Sequence, residues 1–183
     1  MTAELARRLP SGSRVLDLGC GSGIPSTKTL AERFEVVGVD FSSSQIEKAR
    51  LNVPTAEFIV ADLTEVEFPD DSFDAVTAFH SLDHVPREQH EALYGHVADW
   101  LKPGGFFLAT MGITDERAWT GEWLGVPMFF SSHAPDRTRA LLAAAGFVLE
   151  LDEVVEMREP EGPFSFLWIL GRTTSTNVVG SRP

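Results

Sequence analysis

A β-branched run that opens directly onto three glycines, VLDLGCGSG at residues 15–23, constrains this chain more than any other stretch of it. An apolar run of that kind is a strand buried on both faces. The glycines make a tight turn, and residues 26–33 beyond it read as a helix. A strand–turn–helix unit returns to a parallel neighbour by a right-handed crossover. The same alternation continues along the chain. Residues 35–39 (EVVGV) form a second strand ending at Asp40, and residues 43–52 a helix with Ser42 or Ser43 as its N-cap. Residues 56–61 form a third strand ending at Asp62, and residues 73–79 a fourth. A helix over 87–101 is stopped by Pro103-Gly104-Gly105, and residues 106–110 are a fifth strand. The last third differs. A helix over 135–145 ends at Gly146, and strands over 147–157 and 164–170 are joined by the short turn segment 159–163, which makes them antiparallel. The expected fold class is α/β, with helices on both faces of a mostly parallel sheet that carries a reversed C-terminal strand. Residues 1–172 form one domain, and the Ser/Thr/Gly-rich tail 173–183 is expected to be disordered.

With 183 residues the chain is long enough for one full hydrophobic core. Its formal net charge of −12, with no basic run longer than Arg7-Arg8, argues against nucleic acid and anionic membrane surfaces as partners, since both are gripped by clustered Lys and Arg. Cys20 is the sole cysteine, so no internal disulfide forms and a reducing compartment fits. The N-terminus lacks the apolar stretch of a signal peptide, and no window reads as a membrane span. A cytoplasmic location is expected, and the sequence leaves the oligomeric state open.

The turn has chemistry as well as shape. Glycines at 19, 21 and 23 let a ligand lie against the main chain, and the helix N-terminus beyond offers free N–H groups to an anion. A dinucleotide fingerprint wants G-x-G-x-x-G, whereas this loop reads G-x-G-x-G and follows an acid, Asp17. An acid there repels a pyrophosphate and suits an ammonium group, so a ligand with an amino-acid moiety satisfies both features. Asp40 and Asp62 end neighbouring strands, at the edge where open α/β sheets bind ligands. Asp40 is placed to accept from two ribose hydroxyls, and Asp62 from an adenine amino group, with Phe41 and Leu63 flanking the ring. A nicotinamide oxidoreductase is disfavoured by the glycine spacing, by Asp17, and by the lack of a Tyr/Lys pair, Tyr94 being the only tyrosine.

In this order the segments VLDLGCGSG, VVGVDFS, VADL, FDAVTAFHSLDHV and LKPGGFFLAT resemble the class I S-adenosylmethionine-dependent methyltransferases, over about residues 13–172. The resemblance implies a Rossmann-like, doubly wound seven-stranded sheet with its last strand antiparallel, and S-adenosyl-L-methionine as cofactor. It implies that Asp17, Gly19 and Gly21 face the methionine part, with Cys20 and Gly23 in the same cofactor-binding loop. Asp40 would hold the ribose, Phe41 would lie on the adenine, and Asp62 would bind the adenine amino group with Leu63 beside it. His80 and Ser81 would sit by the methionine carboxylate and the reacting methyl. Members of the family usually carry some tens of residues of covering helix before the first strand. Only about a dozen precede Arg14 here, which fits either a short chain or a truncated one.

Methyl transfer from a sulfonium asks mainly for orientation and a desolvated path, and for a base only when the acceptor is protonated. His80 is the leading base candidate in the loop after the fourth strand; His84, also a candidate, precedes Val85-Pro86 and reads first as a residue that orients the loop. Asp83 either orients a histidine or caps the following helix. His133 is a third candidate, placed across the pocket. His90 and His96 are expected on the long helix, solvated or half-buried, and no metal-ligand spacing is present. Residues 119–133 (WTGEWLGVPMFFSSH) read equally as an apolar or aromatic small-molecule pocket with a lid and as a satellite core under a loop. Transfer to a small-molecule acceptor is the expected activity. The alternative is a non-catalytic S-adenosylmethionine-binding or regulatory subunit.

Overall fold

The computed structural model describes residues 2–123, 125–159 and 162–174. Its elements alternate as expected: α1 (Thr2–Arg8), β1 (Arg14–Leu18), α2 (Ser26–Ala31), β2 (Glu35–Asp40), α3 (Ser43–Asn52), β3 (Glu57–Val60), β4 (Phe73–Ala78), α4 (His90–Trp100), β5 (Leu101–Gly112), β6 (Trp119–Trp123), β7 (Val126–Phe130), α5 (Pro135–Ala144), β8 (Phe147–Glu159) and β9 (Gly162–Thr173). Seven strands form one sheet in the order β3-β2-β1-β4-β5-β9-β8. β9 runs antiparallel between β5 and β8, and every other pairing joins parallel strands. The fold is thus the doubly wound, mostly parallel α/β sheet that the sequence implies. The switch point lies between β1 and β4, where successive crossovers leave in opposite directions and a crevice opens at the strand ends.

Strand alternation divides the core. Leu16 and Leu18 of β1 join Val76, Tyr94, Phe107 and Leu142 on the face covered by α4 and α5. Val15 and Ala75 join Leu5, Leu30 and Phe34 on the opposite face, under α1 and α2. Ile46 and Ala49 of α3 pack on Phe58 of the edge strand β3. Asp17 shares the parity of Val15, so its carboxylate enters the interior on the α2 side.

Several boundaries differ from the sequence reading. The N-terminal segment is helical, and its buried Leu5 anchors it to the α2 face, away from the strand ends. The helix expected over 87–101 begins as a short 3-10 turn at Arg87–Gln89, and α4 starts only at His90. Leu101 is already extended and pairs with Phe73, and the next paired residues are Phe106 and Ala75. Pro103-Gly104-Gly105 is therefore a bulge inside β5 and not a helix stop. Residues 119–130, read as a loop, form the antiparallel hairpin β6–β7 with Trp119 opposite Phe130. Of the tail expected to be disordered from residue 173, Thr173 closes β9, and residues 175–183 lie outside the described residues. No described helix is long and apolar enough to cross a membrane.

Candidate functional site

Two cavities adjoin at the strand-end rim, and His80 and His84 line both. The first, of about 710 Å³, lies over the switch point. Gly19 (φ +71°) brings the loop after β1 against the loop after β4 so closely that a Cβ would fall 2.2 Å from that of Ser81. Ser81 Oγ donates to the Leu18 carbonyl at 2.8 Å and locks the two loops together. Gly21 (φ +53°) turns its bare Cα toward open space, with nothing within 4 Å of an ideal Cβ. Asp40 ends β2 beneath this loop. Its Oδ2 accepts from Gly21 N–H and its Oδ1 from Ser42 N–H, both at 2.9 Å, leaving further lone pairs on each oxygen. Ser42 also caps α3, its hydroxyl accepting from Gln45 N–H. Phe41 is 74% exposed beside Asp40. Across the cavity are Leu63 and Asp62, whose Oδ1 accepts from the backbone and hydroxyl of Thr64.

Three residues assigned to this loop by sequence lie off the cavity wall. Asp17 is buried, accepting from Thr27 Oγ1 at 2.6 Å and Thr77 Oγ1 at 2.8 Å. Burial lifts its carboxyl to about 6, although the two hydroxyls pull it down. It braces the floor of the loop, so the contact expected between Asp17 and an ammonium group is not a direct one here. Cys20 turns toward Phe58 and the α3 cluster, and burial pushes its thiol well up. Gly23 packs on Val53 and Ala49 of α3.

The second cavity, of about 750 Å³, lies on the β5–β9 side. The hairpin brings Trp119 and Phe130, whose rings lie tilted against each other at 5.3 Å, and β9 brings Phe164 and Phe166. These two phenylalanines escaped the sequence reading. Their i, i+2 spacing puts them on one face, and because β9 is antiparallel its beginning reaches the rim where the parallel strands end. Gly112, ending β5, donates its N–H to Asp83 Oδ1 at 2.7 Å. Burial pushes the Asp83 carboxyl up to about 6, against the pull of this bond. The hairpin is fixed to the β4 loop through Ser131 N–H to the Asp83 carbonyl at 2.7 Å and Arg87 N–H to Ser131 Oγ at 2.9 Å.

The histidines separate by position. His80 sits at φ +53°, donates its backbone N–H to Thr110 Oγ1 at 2.7 Å, and sets its ring edge-on to Phe166 at 4.5 Å. His84 Nδ1 is 2.9 Å from the Phe129 carbonyl of β7. A carbonyl only accepts, so Nδ1 carries the proton and Nε2 the lone pair of the neutral ring. His133 requires correction as a base candidate: it lines neither cavity, and its Nε2 faces the Arg87 carbonyl at 3.1 Å. His90 is also corrected. It is buried, with Nε2 near the Leu82 and Val85 carbonyls, and burial lowers its pKa.

The Methyltransferase domain family matches residues 15–105. 27-O-demethylrifamycin SV methyltransferase of Amycolatopsis mediterranei is 34% identical over 163 residues, covering 84% of this chain and 55% of its own length. A SAM-dependent methyltransferase structure from Methanosarcina mazei superposes with a TM-score of 0.82 at 21% identity, over 93% of this chain and 97% of that one. Residues 15–105 thus carry a methyltransferase domain, and over most of its length the chain is similar to S-adenosylmethionine-dependent methyltransferases. Methyltransferase GfsG of Streptomyces halstedii is 32% identical over 180 residues, covering 89% of this chain and 64% of that protein. The chain thus spans a little over half the length of these curated relatives.

For a methyltransferase of this class, the first cavity fits the cofactor. Gly21 presents bare main chain to it, and Asp40 keeps acceptor capacity after its two backbone bonds. Phe41 offers an exposed aromatic face, and the cavity volume suits a nucleoside-sized ligand.

Proposed function

We propose that the chain transfers a methyl group from S-adenosylmethionine to a small, apolar or aromatic acceptor in the second cavity. The observation that carries this reading is the wall the cavities share, formed by His80 and His84. The cofactor's methionine part would lie on the Gly19–Gly21 main chain, beside Ser81. Asp40 would accept from the ribose hydroxyls. Phe41 and Leu63 would flank the adenine, and Asp62 would take its amino group. Bound there, S-adenosylmethionine supplies a methyl group activated by its sulfonium centre.

The chain's own task is then to orient an acceptor and exclude water. Trp119, Phe130 and Phe166 supply the apolar walls. For a hydroxyl or amine acceptor His84 is the base, because the Phe129 carbonyl holds Nδ1–H and leaves Nε2 to receive the proton. This reading moves the first choice from His80 to His84 and leaves His80 as part of the dividing wall. The relative named for 27-O-demethylrifamycin SV supports an oxygen acceptor.

Calorimetry with S-adenosylhomocysteine and with NAD, followed by transfer of labelled methyl over a panel of small hydroxyl and amine compounds, tests the proposal. Saturable binding of the first ligand alone and label in one class of product are expected. Binding without transfer to any acceptor would leave a regulatory S-adenosylmethionine-binding subunit. With an acceptor in hand, His84→Gln is expected to lower kcat about 100-fold while cofactor affinity stays unchanged. An unaltered kcat would remove His84 from the proton path.

A further inference from the structure

The second cavity has a one-sided charge distribution that its aromatic walls do not require. Asp83, Glu116 and Glu122 line it, and among the described residues no Lys or Arg does. Glu116 and Glu122 stand outside every ion pair among the described residues. Two arginines come close without lining it: Arg87, whose guanidinium bonds Asp115 and the Ser132 carbonyl, and Arg117, whose main-chain carbonyl accepts from Ser131 Oγ. The acids also come from separate elements. Asp83 follows β4, Glu116 lies in the connection from β5 to the hairpin, and Glu122 lies on β6. They face the same space as Trp119, Phe130, Phe164 and Phe166.

A concave site whose walls carry one sign of charge concentrates the opposite charge and rejects its own. Aromatic faces add to this, because their negative quadrupoles attract cations. We infer that the acceptor is a flat aromatic molecule carrying an amine, and that its carboxylate-bearing counterparts are turned away at this cavity. The inference rests on the reading of the second cavity as the acceptor site and narrows its substrate class. The amine is either the methylated atom or the handle that positions a neighbouring hydroxyl.

Three probes with a common ring test it: tryptamine, indole and indole-3-acetate, titrated calorimetrically into the full chain with and without S-adenosylhomocysteine. Tryptamine is expected to bind at least about tenfold more tightly than indole-3-acetate, with indole between them. Added salt should narrow the gap. The Glu116→Gln/Glu122→Gln double variant should shrink the ratio several-fold with little change for indole. Trp119→Ala should weaken all three, which separates this cavity from diffuse attraction to an acidic surface. Equal or tighter binding of indole-3-acetate overturns the inference, as does failure of tryptamine to bind, an unchanged ratio in the double variant, or indifference to Trp119→Ala. Loss of S-adenosylhomocysteine binding with the charge ranking intact would overturn the methyltransferase reading alone.

Discussion

The two cavities differ in what builds them. The first cavity, the proposed cofactor groove, is framed by backbone: positive-φ glycines after β1, a carboxylate tied to two main-chain N–H groups, and a serine bonded to a strand carbonyl. The second cavity, the proposed acceptor site, is built from side chains: rings from a hairpin and from β9, with acids from three separate segments. A site framed by backbone tolerates little change, because substitutions there move the main chain itself. A side-chain-built site can be refitted by substitution without disturbing the sheet. Asp17 beneath the first cavity and Asp83 in the second are carboxyls that burial lifts to about 6.

The contrast fails most visibly if the groove proves forgiving. Gly19→Ala combines a Cβ 2.2 Å from that of Ser81 with an unfavourable φ of +71°. It is expected to cost about 3 kcal/mol or more in stability and to abolish S-adenosylhomocysteine binding, read by thermal unfolding and calorimetry. A near-native melting temperature would mean the loops yield easily and are not a rigid frame.

Asp40→Ala comes next. Lost ribose contacts should weaken S-adenosylhomocysteine binding by about 1–3 kcal/mol, while tryptamine affinity in the other cavity holds. A parallel loss of both would show that the cavities are not independent.

Asp83→Asn addresses the acceptor side through pH. The Asp83 carboxyl rises from 3.8 to about 6 on folding, so the folded chain binds that proton more tightly than the unfolded one. The group thus favours folding below about pH 4, and this contribution is lost as the pH climbs through 6. In urea titrations across that window the wild type should lose about 2 kcal/mol relative to Asp83→Asn. Identical slopes would show that the carboxylate is hydrated in the fold.

The smallest effect is expected behind the shared wall. Trp168 lies edge-on to His80 at 6.3 Å, and its buried Nε1–H has no acceptor among the described residues. Replacing it by Phe removes an unsatisfied donor along with some ring area, so stability should shift by less than about 1 kcal/mol. A larger loss would reveal a bond to the indole nitrogen.

The groove was the more legible of the two because its parts are local. Gly19 and Gly21 directly follow β1, Asp40 ends β2, and Asp62 follows β3, so reading strand ends was enough to bring them to one rim. Asp17 shows the limit of that reading: strand parity turns it inward to Thr27 and Thr77, although its place near the strand end suggested the opposite. The acceptor cavity was less legible. The aromatic character of residues 119–133 is plain in the sequence, but the pairing of Trp119 with Phe130 is not. Phe164 and Phe166 lie in a segment whose strand pattern carries no hint of where it begins in space.

By itself the sequence determined the α/β alternation, the reversed final strand and the rim on which the glycine turn and the strand-end acids converge. Apolar periodicity and glycine placement act within a few residues and leave a local imprint. Only the tertiary structure decided which histidines reach the cavities, that α1 packs away from them, and that acids from three elements face the same aromatic walls. Those outcomes depend on how distant segments dock, and the energy of docking lies in contacts between residues dozens of positions apart, which no local pattern records.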